Sequence, residues 1–115
     1  MIEAHIVANA SELNKKMNEV CAHFDVDLEG RFERLRYEET NVANFVADLI
    51  LSEYENLDIA LLNCGTLRSN SIMPPGDFTL RMMCDLLPMP DKIITMRISG
   101  AVLLNLLENS VSQWP

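Results

Sequence analysis

Asp58-Ile59-Ala60-Leu61-Leu62-Asn63-Cys64-Gly65-Thr66-Leu67-Arg68 is the stretch whose reading decides the fold. Ile59 to Leu62 form an apolar run of the length expected for a strand buried on both faces. The run stops abruptly at Asn63, and Gly65 and Arg68 follow. An interior strand ending in Asn-x-Gly-x-x-Arg delivers polar groups to the end of a sheet, where open α/β sheets hold ligands. Asn63 offers a donor and an acceptor. Gly65 permits positive φ or close backbone approach. Arg68 supplies a planar, permanently charged fork suited to phosphate or carboxylate. The same residues also serve an ordinary strand-to-loop junction, because turns recruit Asn and Gly for their own backbone needs. From spacing alone both readings stand.

The composition narrows the field. The chain has 115 residues, enough for a single core but not for two domains. Hydrophobic residues make up 49%, which places it among folded rather than disordered chains. Nine basic against 17 acidic residues give a net charge of −8, which argues against a nucleic-acid polymer or an anionic membrane surface as partner. A few local arginines remain able to hold one phosphate. Cys21, Cys64 and Cys84 form no CxxC pair, which argues against a zinc site or a disulfide framework. No apolar run approaches membrane-spanning length, and the first residues lack the pattern of a signal peptide, so localisation is left undefined.

Working outward, Ile2, Ile6, Ala10, Leu13, Met17, Val20, Cys21 and Phe24 fall on one helical stripe, which predicts a long N-terminal helix up to about Phe24. A shorter helix capped by Asn9 with Glu12 fits as well. Asp25 to Gly30 reads as a turn, and Arg31 to Tyr37 as an edge strand carrying Arg31, Arg34 and Arg36. Thr40 is placed to cap a helix with Val42, Phe45, Val46, Leu49 and Ile50 on its core face. Its remaining face holds only short polar residues, Asn41, Asn44, Asp48 and Ser52, which points to hydrogen bonds with neighbouring backbone. Pro74-Pro75-Gly76-Asp77 is a turn signal. Thr79 caps a helix from Leu80 to Leu87 that Pro88 and Pro90 terminate. Lys92 to Ile98 alternates like a strand, and Ser99 caps a last helix from Gly100 to about Ser110. The expected class is α+β, a mixed domain in which helices and strands alternate after a long N-terminal helix. His5 and His23 stand alone, His23 at a helix end, and Asp48 and Asp58 read as structural.

Several stretches, taken in order, resemble the C-terminal domain of the 5′-nucleotidase family. These are Leu28-Glu29-Gly30; Arg36 with Glu39-Thr40-Asn41-Val42-Ala43-Asn44-Phe45-Val46-Ala47-Asp48; Asp58 to Ser69; Leu87-Pro88; and Ile98-Ser99-Gly100-Ala101-Val102-Leu103 through Leu107-Glu108-Asn109-Ser110. The resemblance divides the chain into a linker helix, residues 1–27, and part of a substrate-binding domain, residues 28–115. It implies a hydrolase of nucleoside phosphates, with nucleotide or nucleoside as ligand. A separate N-terminal metallophosphoesterase domain would carry two divalent metal ions that activate water, and this chain would carry no cofactor and no activity alone. It further implies that Arg36 and Arg68 contact phosphate or ribose, that Asn63 contacts the nucleoside, and that Gly65 and Met89 line the same site.

Three departures bear on that expectation. Cys64 and Thr66 occupy glycine-type places, which narrows the loop. Met89 stands where the family presents an aromatic, giving up base stacking of about 1–3 kcal/mol. The family domain also continues to a second aromatic and a specificity loop absent from these 115 residues. Apolar surface uncovered there favours self-association, a homodimer included. The departures favour, as alternatives, a non-catalytic binding or dimerisation module or an enzyme for nucleotide sugars or cyclic nucleotides.

Overall fold

The structure, a computed structural model, describes the backbone of residues 2–113 and the side chains from Ala10 onward. The helix α1 spans Ile2–Met17, and Arg81 Nη2 donates to its Asn14 Oδ1 at 3.2 Å. The Ile2 and Ile6 part of the expected apolar stripe lies outside the described side chains. After α1 the chain turns through Asn18 and Glu19 into β1, Val20–Phe24. The expected helix therefore ends seven residues earlier than Phe24. Val20, Ala22 and Phe24 alternate as a strand does, and that period prevails because a partner strand is within reach.

That partner is β4, Gly76–Thr79, antiparallel to β1 with Ala22 opposite Phe78 and Phe24 opposite Gly76. The ladder shifts register between Val20 and Ala22, the extra residue of a β-bulge. Across it His23 Nδ1 lies 2.8 Å from Asp77 Oδ1, and this hydrogen bond raises the imidazole above its usual pKa. His23 is thus a strand residue rather than a helix end. Gly76 opens β4 at φ 133°, a backbone state that L side chains rarely adopt, which is why the Pro-Pro-Gly-Asp signal contains the start of a strand as well as a turn. A second short ladder pairs β2, Leu28–Glu29, with β3, Ile72–Met73.

Arg31 to Tyr37 is not a strand. Phe32–Leu35 forms a one-turn helix, α2. The Arg31 carbonyl accepts from Arg34 N–H at 3.0 Å and Leu35 N–H at 2.8 Å. Two pairs spaced i,i+4 act along it: Arg34 to Glu38, and Arg36 stacked over Phe32 with its guanidinium carbon 4.6 Å from the ring centroid. Leu35 is buried, and helical spacing is what puts it there.

α3 spans Asn41–Glu53, and Thr40 caps it by accepting from Ala43 N–H. Val42 and Val46 enter the core with Leu28, Leu35, Leu67, Met73, Phe78 and Leu86. Phe24, Phe45 and Phe78 meet edge to face with centroids 4.9 to 6.0 Å apart. The short polar face of α3 meets backbone only in part: Asn41 Nδ2 donates to Asp27 O, Asn41 Oδ1 accepts from Glu29 N–H and Ser52 Oγ donates to Leu49 O, whereas Asn44 Nδ2 donates to the Glu39 carboxylate, Asp48 has no side-chain hydrogen bond among the described residues, and all four are exposed. α4, Leu80–Leu86, and α5, Gly100–Val111, carry the expected caps from Thr79 and Ser99.

Two expected strands are absent from the described residues. Ile59 and Leu61 are 51% and 50% exposed, whereas Leu62 packs on the core. The run alternates as a strand would, but one face is open and no backbone ladder forms. Lys92–Ile98 is exposed throughout and likewise unpaired. The apolar pattern is present in both segments, but a neighbouring strand is not, and pairing needs both. The class is α+β nonetheless: helices around two small antiparallel sheets.

Candidate functional site

The Asn63–Arg68 loop is held from inside by Leu67, one of the most deeply buried side chains. Asn63 caps a 3₁₀ turn, Cys64–Thr66: its Oδ1 accepts from Gly65 N–H at 2.7 Å and its carbonyl from Thr66 N–H at 3.0 Å. A Cβ at Gly65 would sit 2.9 Å from that Oδ1, so a larger residue would push the cap away. Arg68 folds back on the same turn. Its Nε donates to Gly65 O at 2.6 Å, and its backbone N–H donates to Leu86 O at 2.8 Å, which ties the loop to the end of α4. The terminal guanidinium nitrogens of Arg68 bond to nothing among the described residues. Asn63, Gly65 and Arg68 thus form one bonded unit with a free fork at its rim.

Arg36 comes from the other side. It ends α2, whose first N–H, that of Phe32, donates to Asn70 Oδ1 at 3.0 Å. Asn70 sits at φ 45°, a left-handed position that Asn tolerates through its short polar side chain. Gly30 N–H donates to Ser71 O at 3.1 Å, so the chain just after Arg68 is fastened to the chain just before α2. No hydrogen bond joins Arg36 to Asn63 or Arg68 among the described residues. Met89 lies in the loop after α4 and is 60% exposed. Its neighbour Pro88 lines, with Arg68, Ser69, Ser71, Met82 and Cys84, an open cavity of about 590 Å³. The Ser69 hydroxyl is buried at that cavity without a hydrogen-bond partner. Ser69, Asn70 and Met82 were not singled out by sequence. Asn70 is the legible one, since an Asn between two serines is a recurrent left-handed turn residue.

The arginines divide into two groups. Arg31 binds Glu29, with Nε 2.9 Å from Oε1 and Nη2 2.5 Å from Oε2, and reaches Glu33 at 3.2 Å. Arg34 binds Glu38 at 2.5 Å. The Arg31 hydrogen bonds hold the Glu29 carboxyl down to about 2, and the carboxylates push Arg31 and Arg34 up. Arg36, Arg68, Arg81 and Arg97 have no carboxylate partner among the described residues, in a chain of net charge −8, and of these Arg36 and Arg68 are the two the resemblance places in the site. Among the described residues there is also no group of three or more His, Cys, Asp or Glu side chains able to hold a metal ion. No described helix is long and apolar enough to cross a membrane.

Known proteins give this geometry a context. Residues 20–115 match the family described as 5′-nucleotidase, C-terminal domain. The chain is 31% identical over 105 residues to the trifunctional nucleotide phosphoesterase protein YfkN of Bacillus subtilis, covering 89% of this chain and 7% of that protein. It superposes on the crystal structure of a 5′-nucleotidase precursor from Thermus thermophilus with a TM-score of 0.82 and 32% identity, covering 97% of this chain and 22% of that one. The chain therefore spans a small part of the relatives it matches. By sequence and by fold together, it belongs to the 5′-nucleotidase C-terminal domain family.

Proposed function

We propose that this chain is the substrate-binding part of a 5′-nucleotidase-type hydrolase that cleaves phosphoric esters of nucleoside monophosphates or related nucleotides. Arg68 and Arg36 take the phosphate or ribose, and Asn63 meets the nucleoside across the turn that Gly65 keeps tight. Met89 supplies an apolar surface for the base. The two divalent metal ions that activate water would belong to a separate metallophosphoesterase domain, and residues 1–27 would lead from it into residues 28–115.

One observation carries this reading. An acidic chain satisfies Arg31 and Arg34 with its own carboxylates and leaves the forks of Arg36 and Arg68 unpaired beside the family's motif positions. An unpaired guanidinium at a rigid loop is pre-organised for an anion, and its charge-assisted bonds are the strong kind.

In the full-length enzyme, Arg68→Ala is expected to lower kcat/KM for nucleoside monophosphates by about 10- to 100-fold, the loss of one hydrogen bond to a charged group. Arg31→Ala, which removes an arginine already paired with Glu29, serves as the control and is expected to leave kcat/KM near the wild-type value. Equal effects of the two substitutions would remove Arg68 from the site. The 115-residue chain alone is expected to be inactive on AMP with added divalent metal, and hydrolysis that scales with its concentration would contradict this.

A second reading has its own support. Met89 in place of an aromatic, and Cys64 and Thr66 in place of glycines, fit a non-catalytic binding or dimerisation module, or a pocket for nucleotide sugars or cyclic nucleotides. Titration calorimetry of the full-length protein with AMP, a nucleotide sugar and a cyclic nucleotide separates these.

A further inference from the structure

Asn63, Gly65 and Arg68 form one bonded unit, and Arg36 reaches it through no hydrogen bond of its own side chain among the described residues. A seam between two chain segments joins them instead. It begins in the β2–β3 ladder, where Leu28 lies opposite Met73 and Glu29 opposite Ile72. Gly30 N–H carries it on to Ser71 O at 3.1 Å, and Phe32 N–H ends it on Asn70 Oδ1 at 3.0 Å. At this last rung a side chain stands in for a backbone carbonyl, and Asn70 itself is at φ 45°. Asn70 follows Arg68 closely in the chain, and Phe32 is one helical turn before Arg36. The seam therefore closes between the two arginines.

Both ends of that last bond have a further role. An N–H in the first turn of a helix has no partner within the helix. The side chain of Arg31, which precedes α2, makes no cap, because Glu29 and Glu33 engage its guanidinium. Asn70 supplies the missing acceptor from 38 residues away. Phe32 in turn carries the Arg36 guanidinium over its ring, with the central carbon 4.6 Å from the centroid. A ring face attracts the cation and takes none of its N–H donors. A carboxylate would consume those donors, as Glu29 does with Arg31 and Glu38 with Arg34. Phe32 thus fixes where the charge of Arg36 sits while leaving its fork free, and Asn70 fixes where Phe32 sits. Every contact in this series is internal to residues 28–73.

We propose that Asn70 and Phe32 are positioning residues that set Arg36 against Arg68, so that the two guanidinium groups meet the substrate as a pair. The inference rests on the proposed role of Arg36 and Arg68 as substrate contacts. Asn70 and Phe32 act through Arg36 rather than on the substrate, and losing either one removes pre-organisation that binding would otherwise have to supply.

Double-mutant cycles in the full-length enzyme test this, with kcat/KM for AMP as the readout. Phe32→Leu removes the ring face and keeps an apolar side chain. Asn70→Gly removes the acceptor and keeps a residue at ease at positive φ. Each should lower kcat/KM by about twofold to tenfold. Neither should lower it further in an enzyme that already carries Arg36→Ala. Phe32→Tyr, which keeps the ring, should recover the Phe32→Leu loss. Far-UV circular dichroism checks that each variant is folded. Losses of the same size in the Arg36→Ala background would make both residues structural alone and overturn the proposal. Wild-type kinetics of Phe32→Leu and Asn70→Gly beside a defective Arg36→Ala would overturn it too, and would leave the substrate-contact reading standing. Wild-type kinetics of Arg36→Ala would remove Arg36 from the site and overturn both.

Discussion

Residues 20–90 and residues 91–113 are both rich in apolar side chains, yet they meet water on opposite terms. In the first region two short ladders and the helices α2 to α4 close around eight buried residues. In the second, α5 and the segment before it leave Ile93, Ile94, Met96, Val102, Leu104 and Leu107 46 to 71% exposed. The difference does not lie in hydrophobicity, because α5 carries a single charged residue, Glu108. It lies in whether a complementary surface is within reach. An apolar pattern states what a segment needs, and only pairing supplies it.

The largest test of this contrast is a pair of truncations. Phe78 is 1% exposed at the meeting of three aromatic rings, so Phe78→Ala is expected to cost about 3–5 kcal/mol. Leu104, on the open side of α5, loses little contact, so Leu104→Ala is expected to stay within about 0.5 kcal/mol in the monomer. Urea unfolding measures both. Comparable costs would mean that α5 is packed in solution after all, and the two regions would no longer differ.

Two glycines give a smaller version of the same test. A Cβ at Gly30 would lie 2.3 Å from Ser69 Oγ and 2.9 Å from the Ser71 carbonyl oxygen. The hydroxyl can rotate away, but the carbonyl belongs to the backbone that accepts from Gly30 itself. Gly30→Ala is therefore expected to cost about 1–3 kcal/mol and to displace the segment next to Arg68. A Cβ at Gly100 meets nothing within 4 Å, so Gly100→Ala is expected to be neutral within about 0.5 kcal/mol. Thermal unfolding of the two variants decides. A harmless Gly30→Ala would show that the seam between α2 and the loop is looser than its contacts imply.

The same contrast explains what the sequence made legible. The caps at Thr40, Thr79 and Ser99 were readable because a cap is a local event, one side-chain oxygen and an N–H three residues on. The core face of α3 is readable from its period except at Leu49, which is 41% exposed, and its polar face only in part, because Asn44 bonds a carboxylate rather than backbone. Arg31 to Tyr37 was misread because alternating polar and apolar side chains over seven residues fit both periods, and burial of Leu35 selected the helix. Ile59–Leu62 reads as a strand because its apolar run is short and continuous, and Lys92–Ile98 because its side chains alternate, but a ladder is a long-range pairing that one segment cannot encode alone. β1 was hidden inside a helical stripe for the converse reason: its partner, β4, lies more than fifty residues later, behind a proline-rich turn. In the candidate site, Asn63, Gly65 and Arg68 emerged as one unit because the motif is contiguous. Arg36 was expected through the resemblance, and the tie between the start of its helix and Asn70 depends on a left-handed backbone that spacing does not reveal.

The smallest effect concerns charge. Arg31 hydrogen-bonds both oxygens of Glu29 and lowers that carboxyl from its ordinary 4.5 to about 2. A folded-state pKa below the unfolded one means that the folded form binds the proton less readily. The stabilisation is therefore complete above about 4.5 and is lost progressively as the pH falls from there toward 2. Glu29→Gln removes the titration while keeping the side-chain size. The difference in urea midpoint between wild type and variant should be constant above 4.5, shrink below it, and be gone near 2. Both partners are partly solvated, so the difference is small even where it is full. A difference that persists unchanged down to 2 would show that Arg31 does not hold Glu29 in solution. Arg31 would then be as free as Arg36 and Arg68, and the division of arginines on which the site rests would lose its meaning.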